Sequence, residues 1–205
     1  MIIPAILEKD WTELKKKLEV CIEFADTVHI DFIDGEFTDN KSFLEFEPFK
    51  EYRQDFKLEA HLMVNEPINY LEKLSDAGFN TFIGHVEKMG NQVEFVAKGE
   101  ELGAVALALD LDTSIDQIKV NLDDLDQILL MSVRAGKSGQ VFDESVLSKI
   151  KDLRQKYLGK IEIDGGINEE TLKLAKEKGA DNFCITTSLF RQDPKKEFEH
   201  LTSLL

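Results

Sequence analysis

His29 and Asp31 stand two residues apart within residues 27–35, T-V-H-I-D-F-I-D-G, an apolar run that ends in a turn at Asp34 and Gly35. Alternate residues of a strand point to one face. A strand here therefore presents an imidazole and a carboxylate side by side near its end. Two later runs finish in the same way. Residues 57–63, K-L-E-A-H-L-M, bring up His61, and residues 160–166, K-I-E-I-D-G-G, bring up Asp164. Two histidines and two aspartates on three strand ends form an N2O2 donor set for one divalent metal ion. Zinc, manganese, iron and cobalt all accept such donors. A single histidine there is commonly just a hydrogen-bonded residue, and an aspartate before Gly-Gly a turn former. Four such residues together are not explained that way.

Asp31 and Asp164 can also do acid–base work. They come from the second and seventh strands of the chain, on different sides of a closed sheet. Two carboxylates facing each other across a ligand can remove a proton from one face of a carbon and return one to the other. The result is inversion at a carbon acidified by a neighbouring carbonyl, with a metal ion stabilising the enediolate. The alternative is that both serve only as ligands. Glu59 and Glu162 precede His61 and Asp164 by two residues, so they point inward, one layer deeper. There they either orient the ligands or fill space around buried water. His85, in G-H-V-E, reads as structural, and His200, in the last helix, as a surface residue.

The elements that must position these residues alternate along the chain. Strands are expected at 2–7, 27–32, 57–63, 80–84, 104–109, 126–133, 160–163 and 182–185. Helices are expected at 11–24, 47–53, from Pro67 to Ala77, and at 91–102, 113–120, 143–157, 169–178 and 194–204. In the first helix Trp11, Leu14, Leu18 and Ile22 form one apolar stripe, with Asp10 as N-cap. Pro67 suits a first helical turn, and Gly78 a helix stop. The strands are apolar on both faces, as buried parallel strands are. Eight βα units in 205 residues predict an α/β fold, a single (β/α)8 TIM barrel forming one domain over 1–205. A doubly wound open sheet is disfavoured, because no glycine-rich fingerprint follows the first strand.

Active sites of such barrels lie where strands end and βα loops begin. All four candidate ligands fall there. Phosphate is expected at the loops after the seventh and eighth strands, which points to Gly165 and Gly166 and to Thr186, Thr187 and Ser188. The loop 134–140, R-A-G-K-S-G-Q, carries Arg134 and Lys137 and can close over an anion; otherwise it is an ordinary polar loop.

A formal charge of −15 excludes a nucleic-acid partner and an anionic membrane surface, though a small anionic substrate remains compatible. Cys21 and Cys184, the only cysteines, read as buried thiols of a reducing compartment. With no signal-peptide pattern and no membrane-spanning run, a cytoplasmic location is expected.

The motifs resemble those of the ribulose-phosphate 3-epimerase family along the whole chain. H-I-D-F-I-D-G-E-F is similar to the family's H-V-D-x-M-D-G-x-F, and E-A-H-L-M to its D-V-H-L-M. L-L-M-S-V matches its L-L-M-S-V, and I-E-I-D-G-G-I-N is similar to its I-E-V-D-G-G-V-N. The resemblance implies that His29, Asp31, His61 and Asp164 hold the metal, that Asp31 and Asp164 are the acid/base pair, and that Met63 and Met131 wall the site. It also implies a small-molecule sugar phosphate as substrate and a homo-oligomer as the assembly. The default pair is D-ribulose 5-phosphate and D-xylulose 5-phosphate. The alternatives are the same chemistry on another ketose phosphate, such as a hexulose 6-phosphate, or a metal-binding barrel without turnover.

Several positions depart from the family. Ala5 replaces the second serine of S-P-S-I-L, and Ile33 the methionine of M-D-G. The family's N-P-G-F-G-G-Q is here 134–140, which sets Ser138 and Gly139 at its phosphate-binding glycines. Thr186 and Thr187 replace its Gly-Ser. Threonine for glycine costs close backbone approach to an anion, and Arg134 and Lys137 can supply charge instead. Related barrels that decarboxylate or condense sugar phosphates use a lysine in D-x-K-x-x-D; Asp31-Phe32-Ile33-Asp34 has none.

Overall fold

The computed structural model describes residues 1–191 and 193–205. Among them are eight strands: β1 (Ile2–Ile6), β2 (Thr27–Ile33), β3 (Lys57–Met63), β4 (Phe79–His85), β5 (Ala104–Leu109), β6 (Gln127–Met131), β7 (Lys160–Asp164) and β8 (Asn182–Ile185). They pair in parallel in that order, and β8 closes on β1 through Ile2–Phe183, Ile3–Cys184 and Pro4–Ile185. The expected (β/α)8 barrel is what forms. Strand residues are buried almost throughout, because helices cover the outer face and side chains fill the inner one.

Capping residues set the helices. Asp10 accepts the Glu13 N–H and starts α1 (Trp11–Cys21). A 3-10 turn at Pro67–Tyr70 leads into α2 (Leu71–Ala77), which stops at Gly78 with φ 100°. Asn91 starts α3 (Gln92–Leu102). Next comes α4 (Ser145–Arg154). Asn168 and Thr171 cap each other's backbone at the start of α5 (Glu169–Lys178), and Asp193 caps α6 (Pro194–Thr202). In α1 the buried stripe is Leu14, Leu18 and Cys21; Ile22 is 45% exposed, because the helix ends at Cys21 and the stripe with it.

Two expected helices take another form. Residues 47–53 make a 3-10 helix, Glu47–Tyr52, whose Phe49 and Tyr52 are buried. Residues 113–120 hold only a short 3-10 turn, Ile115–Gln117, followed by another at Leu122–Asp124. Ser114 caps the first and Asn121 the second, so each polar residue starts its own turn. Between them the Lys119 N–H donates to Gln92 Oε1 at 2.7 Å, which ties the segment to α3 instead of to itself. Ile115, Ile118 and Val120 are partly buried against the core, so packing anchors what helical hydrogen bonds do not.

The main core lies between strands and helices and includes Leu18, Phe49, Phe82, Phe95 and Ile150. Inside the barrel, packing is divided. One side is apolar, with Ile83, Ala106, Ala108, Leu129 and Met131. The other buries His29, Glu59, Glu162 and Asn182 beside Ile3, Ala5 and Cys184. Buried polar groups are costly unless hydrogen-bonded or paired, so this half of the barrel has to be accounted for by what it supports.

Candidate active site

Register brings the four candidate ligands together. Asp31 on β2 pairs with His61 on β3, and Asp164 on β7 pairs with Met131 on β6 and with Cys184 on β8. One donor atom from each of His29, Asp31, His61 and Asp164 lies within 4.8 Å of all the others. His61 Nδ1 is 2.7 Å from Asp31 Oδ1 and 4.0 Å from Asp164 Oδ2. His29 Nε2 is 3.4 Å from the same Asp31 oxygen.

The donors fit a divalent cation. His29 Nε2 is fully buried and has no hydrogen-bond partner among the described residues, an arrangement that costs roughly 1–3 kcal/mol for an unpaired polar group. A cation among two imidazoles and two carboxylates would occupy that lone pair and neutralise the facing acids. Glu59 and Glu162 point inward as expected and stand behind His29. Its Nδ1 lies 3.2 Å from Glu162 Oε1 and 3.5 Å from Glu59 Oε2. Without an ion, burial opposes a charged His29 ring, but Cys184, Asp31 and Glu162 raise it well above the usual imidazole range; with one bound, Nδ1–H would donate to Glu162 and leave the Nε2 lone pair for the ion.

Electrostatics separate the two aspartates. Burial opposes ionisation of Asp31, but the imidazoles of His29 and His61 outweigh it and hold its carboxyl well below the usual range. Burial and then the charge of Asp31 push Asp164 up to about 7. Burial lowers His61 to about 4, against the pull of Asp31, so the ring is neutral at neutral pH. A neutral ring is the form that ligates a metal.

Above the cluster opens a cavity of about 440 Å³, with Asp31, Asp164, Met63 and Met131 on its walls. Gly165, Gly166, Thr186 and Thr187 line one side, and Lys137, Ser138 and Gly139 reach it from loop 134–140. Gly166 has φ 64°, and a Cβ there would sit 2.5 Å from the Phe142 backbone nitrogen, so only glycine lets these loops approach so closely. Lys137 and Arg134 part company: Lys137 lines the cavity, whereas Arg134 pairs with Asp112 at 2.9 Å on the surface.

Three neighbours of the site escaped sequence reasoning. Cys184 Sγ lies 3.4 Å from His29 Nδ1 and 3.3 Å from Glu162 Oε1, inside the barrel. Its only signal was its place two residues before Thr186, on the face that points inward. Arg191 lines the cavity just beyond the β8 loop. His85, read as structural, has Nε2 2.9 Å from His61 Nε2. His200 pairs with Glu169 at the surface, as expected. Cys21 and Cys184 are both buried free thiols. No helix among the described residues is long and apolar enough to cross a membrane.

The sequence matches the ribulose-phosphate 3 epimerase family over residues 1–190. It is 33% identical over 206 residues to a ribulose-phosphate 3-epimerase of Bacillus subtilis, covering 96% of this chain and 94% of that one. It is 30% identical over 203 residues to that of Schizosaccharomyces pombe, covering 96% and 89%. Among solved structures, 3-hexulose-6-phosphate synthase from Salmonella typhimurium superposes with a TM-score of 0.72 at 15% identity, over 100% of this chain and 97% of that one. The 3-keto-L-gulonate-6-phosphate decarboxylase of Vibrio cholerae superposes with a TM-score of 0.71 at 14% identity, over 100% and 96%. Likeness at that identity concerns the barrel alone.

Proposed function

This chain belongs to the ribulose-phosphate 3-epimerase family, and from that premise we propose that it is a metal-dependent isomerase inverting C3 of a ketose phosphate, D-ribulose 5-phosphate to D-xylulose 5-phosphate. The observation that carries the reading is the meeting of Asp31 and Asp164 with two buried histidines at one barrel mouth, beneath a cavity walled by methionines.

One aspartate takes the C3 proton and the other delivers a proton to the opposite face, so the configuration inverts. A divalent ion held by His29, Asp31, His61 and Asp164 would supply the positive charge that stabilises the enediolate; zinc, manganese, iron and cobalt all suit the donors. Met63 and Met131 confine the sugar between the two carboxylates and keep water from the reacting carbon. Gly165 and Gly166 offer backbone N–H groups to the phosphate, Thr186 and Thr187 their hydroxyls, and Ser138 and Gly139 close the loop over it. Lys137 adds the charge that the threonines do not.

The default pentulose is the substrate by family. The second reading is the same inversion on a hexulose 6-phosphate; Lys137 and Arg191 on the cavity wall suit the phosphate of either sugar. Family resemblance also supports one domain over 1–205, a homo-oligomeric assembly and a cytoplasmic location. Sedimentation velocity reads the assembly.

Proton exchange in D2O tests the reaction. With ribulose 5-phosphate and added divalent metal, deuterium enters C3 and xylulose 5-phosphate accumulates. Exchange only with a hexulose 6-phosphate moves the assignment to the six-carbon sugar. No exchange with either, in metal-loaded protein, overturns catalysis.

A further inference from the structure

His61 reaches out on its far side as well. Its Nε2 lies 2.9 Å from Nε2 of His85 at the end of β4, and Nδ1 of His85 lies 3.0 Å from Glu87 Oε2. Both rings are fully buried and stack at 5.0 Å between centroids, 27° apart. Phe37 packs on His85 at 4.7 Å. Glu87 is itself fixed, since its Oε1 accepts the Asp110 N–H at 2.7 Å.

Proton counting gives this row a direction. An ionised carboxylate only accepts, so Glu87 requires an N–H on His85 Nδ1. With its Nδ1–H turned to Glu87, His85 presents its Nε2 to His61 as an acceptor and takes a proton from His61 Nε2. In the ion-bound site that leaves His61 Nδ1 a lone pair for the cation, in place of the hydrogen bond it makes to Asp31 Oδ1 at 2.7 Å. From Asp31 to Glu87 there are three contacts, and two imidazoles with one N–H each supply protons for two of them. A cation beside Asp31 and His61 takes the place of the third.

We propose that His85 and Glu87 are positioning residues for the metal site, holding His61 as its Nε2–H tautomer so that Nδ1 is the ligating nitrogen. The inference rests on reading His61 as a ligand. Burial alone would raise the Glu87 carboxyl, but the bonds from His85 and then Thr113 and Asp110 hold it down to about 2, which keeps the acceptor ionised. The two site histidines thereby offer opposite nitrogens. His29 frees Nε2 because Glu162 takes Nδ1–H directly; His61 frees Nδ1 because Glu87 acts through one intervening ring.

The test compares wild type, His85→Phe and Glu87→Gln after chelator treatment. Zinc affinity is read by competition with a chromophoric chelator, and ring protonation of the zinc-loaded proteins by 15N NMR. Zinc affinity is expected to fall about 10–100-fold in His85→Phe, the usual cost of losing a partner behind a ligand, and by a smaller factor in Glu87→Gln, which also covers a failure of the first variant to fold. Wild type is expected to carry its protons on His61 Nε2 and His85 Nδ1. A purely structural role would lower the melting temperature of zinc-free protein and leave affinity unchanged. The proposal is overturned if the folded variants bind zinc as wild type does, or if wild-type His85 carries its proton on Nε2. A wild type that takes up no zinc, manganese or cobalt overturns the metal reading itself, and the tautomer relay with it.

Discussion

Asp31 and Asp164 hold a carboxylate oxygen each within 4.8 Å although β2 and β7 are separated by two intervening strands, β8 and β1, around the barrel. Among the described residues neither acid has a lysine or arginine as partner; what lies between them is the pair of imidazoles. The pair is therefore built for exchange of charge with something small, and each member is open to test.

Asp164→Asn should abolish inversion while retaining part of the metal affinity. The loss expected for removing a positioned acid or base is about 10²–10⁴-fold in kcat. Solvent-deuterium incorporation at C3, followed by NMR, checks it. Near-normal turnover would remove Asp164 from proton transfer and leave it a ligand only.

Lys137→Ala should raise KM for a phosphorylated substrate about 10–150-fold, taking a charged hydrogen bond as worth about 1.5–3 kcal/mol. Arg134→Ala should leave KM unchanged, because that side chain is held by Asp112 on the surface. Steady-state kinetics on both variants settle which cation faces the phosphate; an unchanged KM in Lys137→Ala takes loop 134–140 out of phosphate binding.

Chelator treatment should lower the melting temperature and added zinc, manganese or cobalt should restore it. At 100 times Kd a bound ion stabilises by about 2.7 kcal/mol, which for a chain of this size corresponds to about 5–11 °C. Differential scanning calorimetry with and without metal reads the shift. No shift with any of the three ions would argue that the donors are held together by protons alone.

Glu87→Gln should cost stability in a pH-dependent way. The carboxyl is held at about 2 in the folded protein against an ordinary 4.5. A depressed value means the folded state is favoured where the group is ionised, so the contribution is complete above about pH 4.5 and is lost as pH falls through 2. Urea midpoints of metal-free wild type and variant should differ at pH 7, draw together as pH falls below 4.5, and converge only below about pH 2. A constant difference would assign the loss to shape rather than charge.

The sequence made some of this legible because strand geometry is rigid. Period-two spacing alone put His29 beside Asp31, and Glu59 and Glu162 behind them. It failed where side-chain competition decides local structure. Ser114 and Asn121 each capped a separate turn, so the apolar spacing of 113–120 suggested a helix that the backbone does not form. Arg134 and Lys137 are three residues apart in one loop, and only the position of Asp112 separates their roles. Cys184 was not recognisable as a neighbour of the ligands, since its partner His29 lies 155 residues away in the chain; His85 ends the strand next to that of His61, but spacing alone does not show that two rings on adjacent strands meet.

The seam between β1 and β8 joins Ile3 to Cys184, which sets the order in which a growing chain can become competent. His29, Asp31 and His61 leave the ribosome early, but Asp164 follows about a hundred residues later. The polar half of the barrel stays wet until β8 docks against the first strand. Contacts of such long sequence separation form late in folding. Nascent chains halted before residue 182 should thus take up no divalent ion tightly, whereas chains extended beyond β8 should, if the four donors hold one.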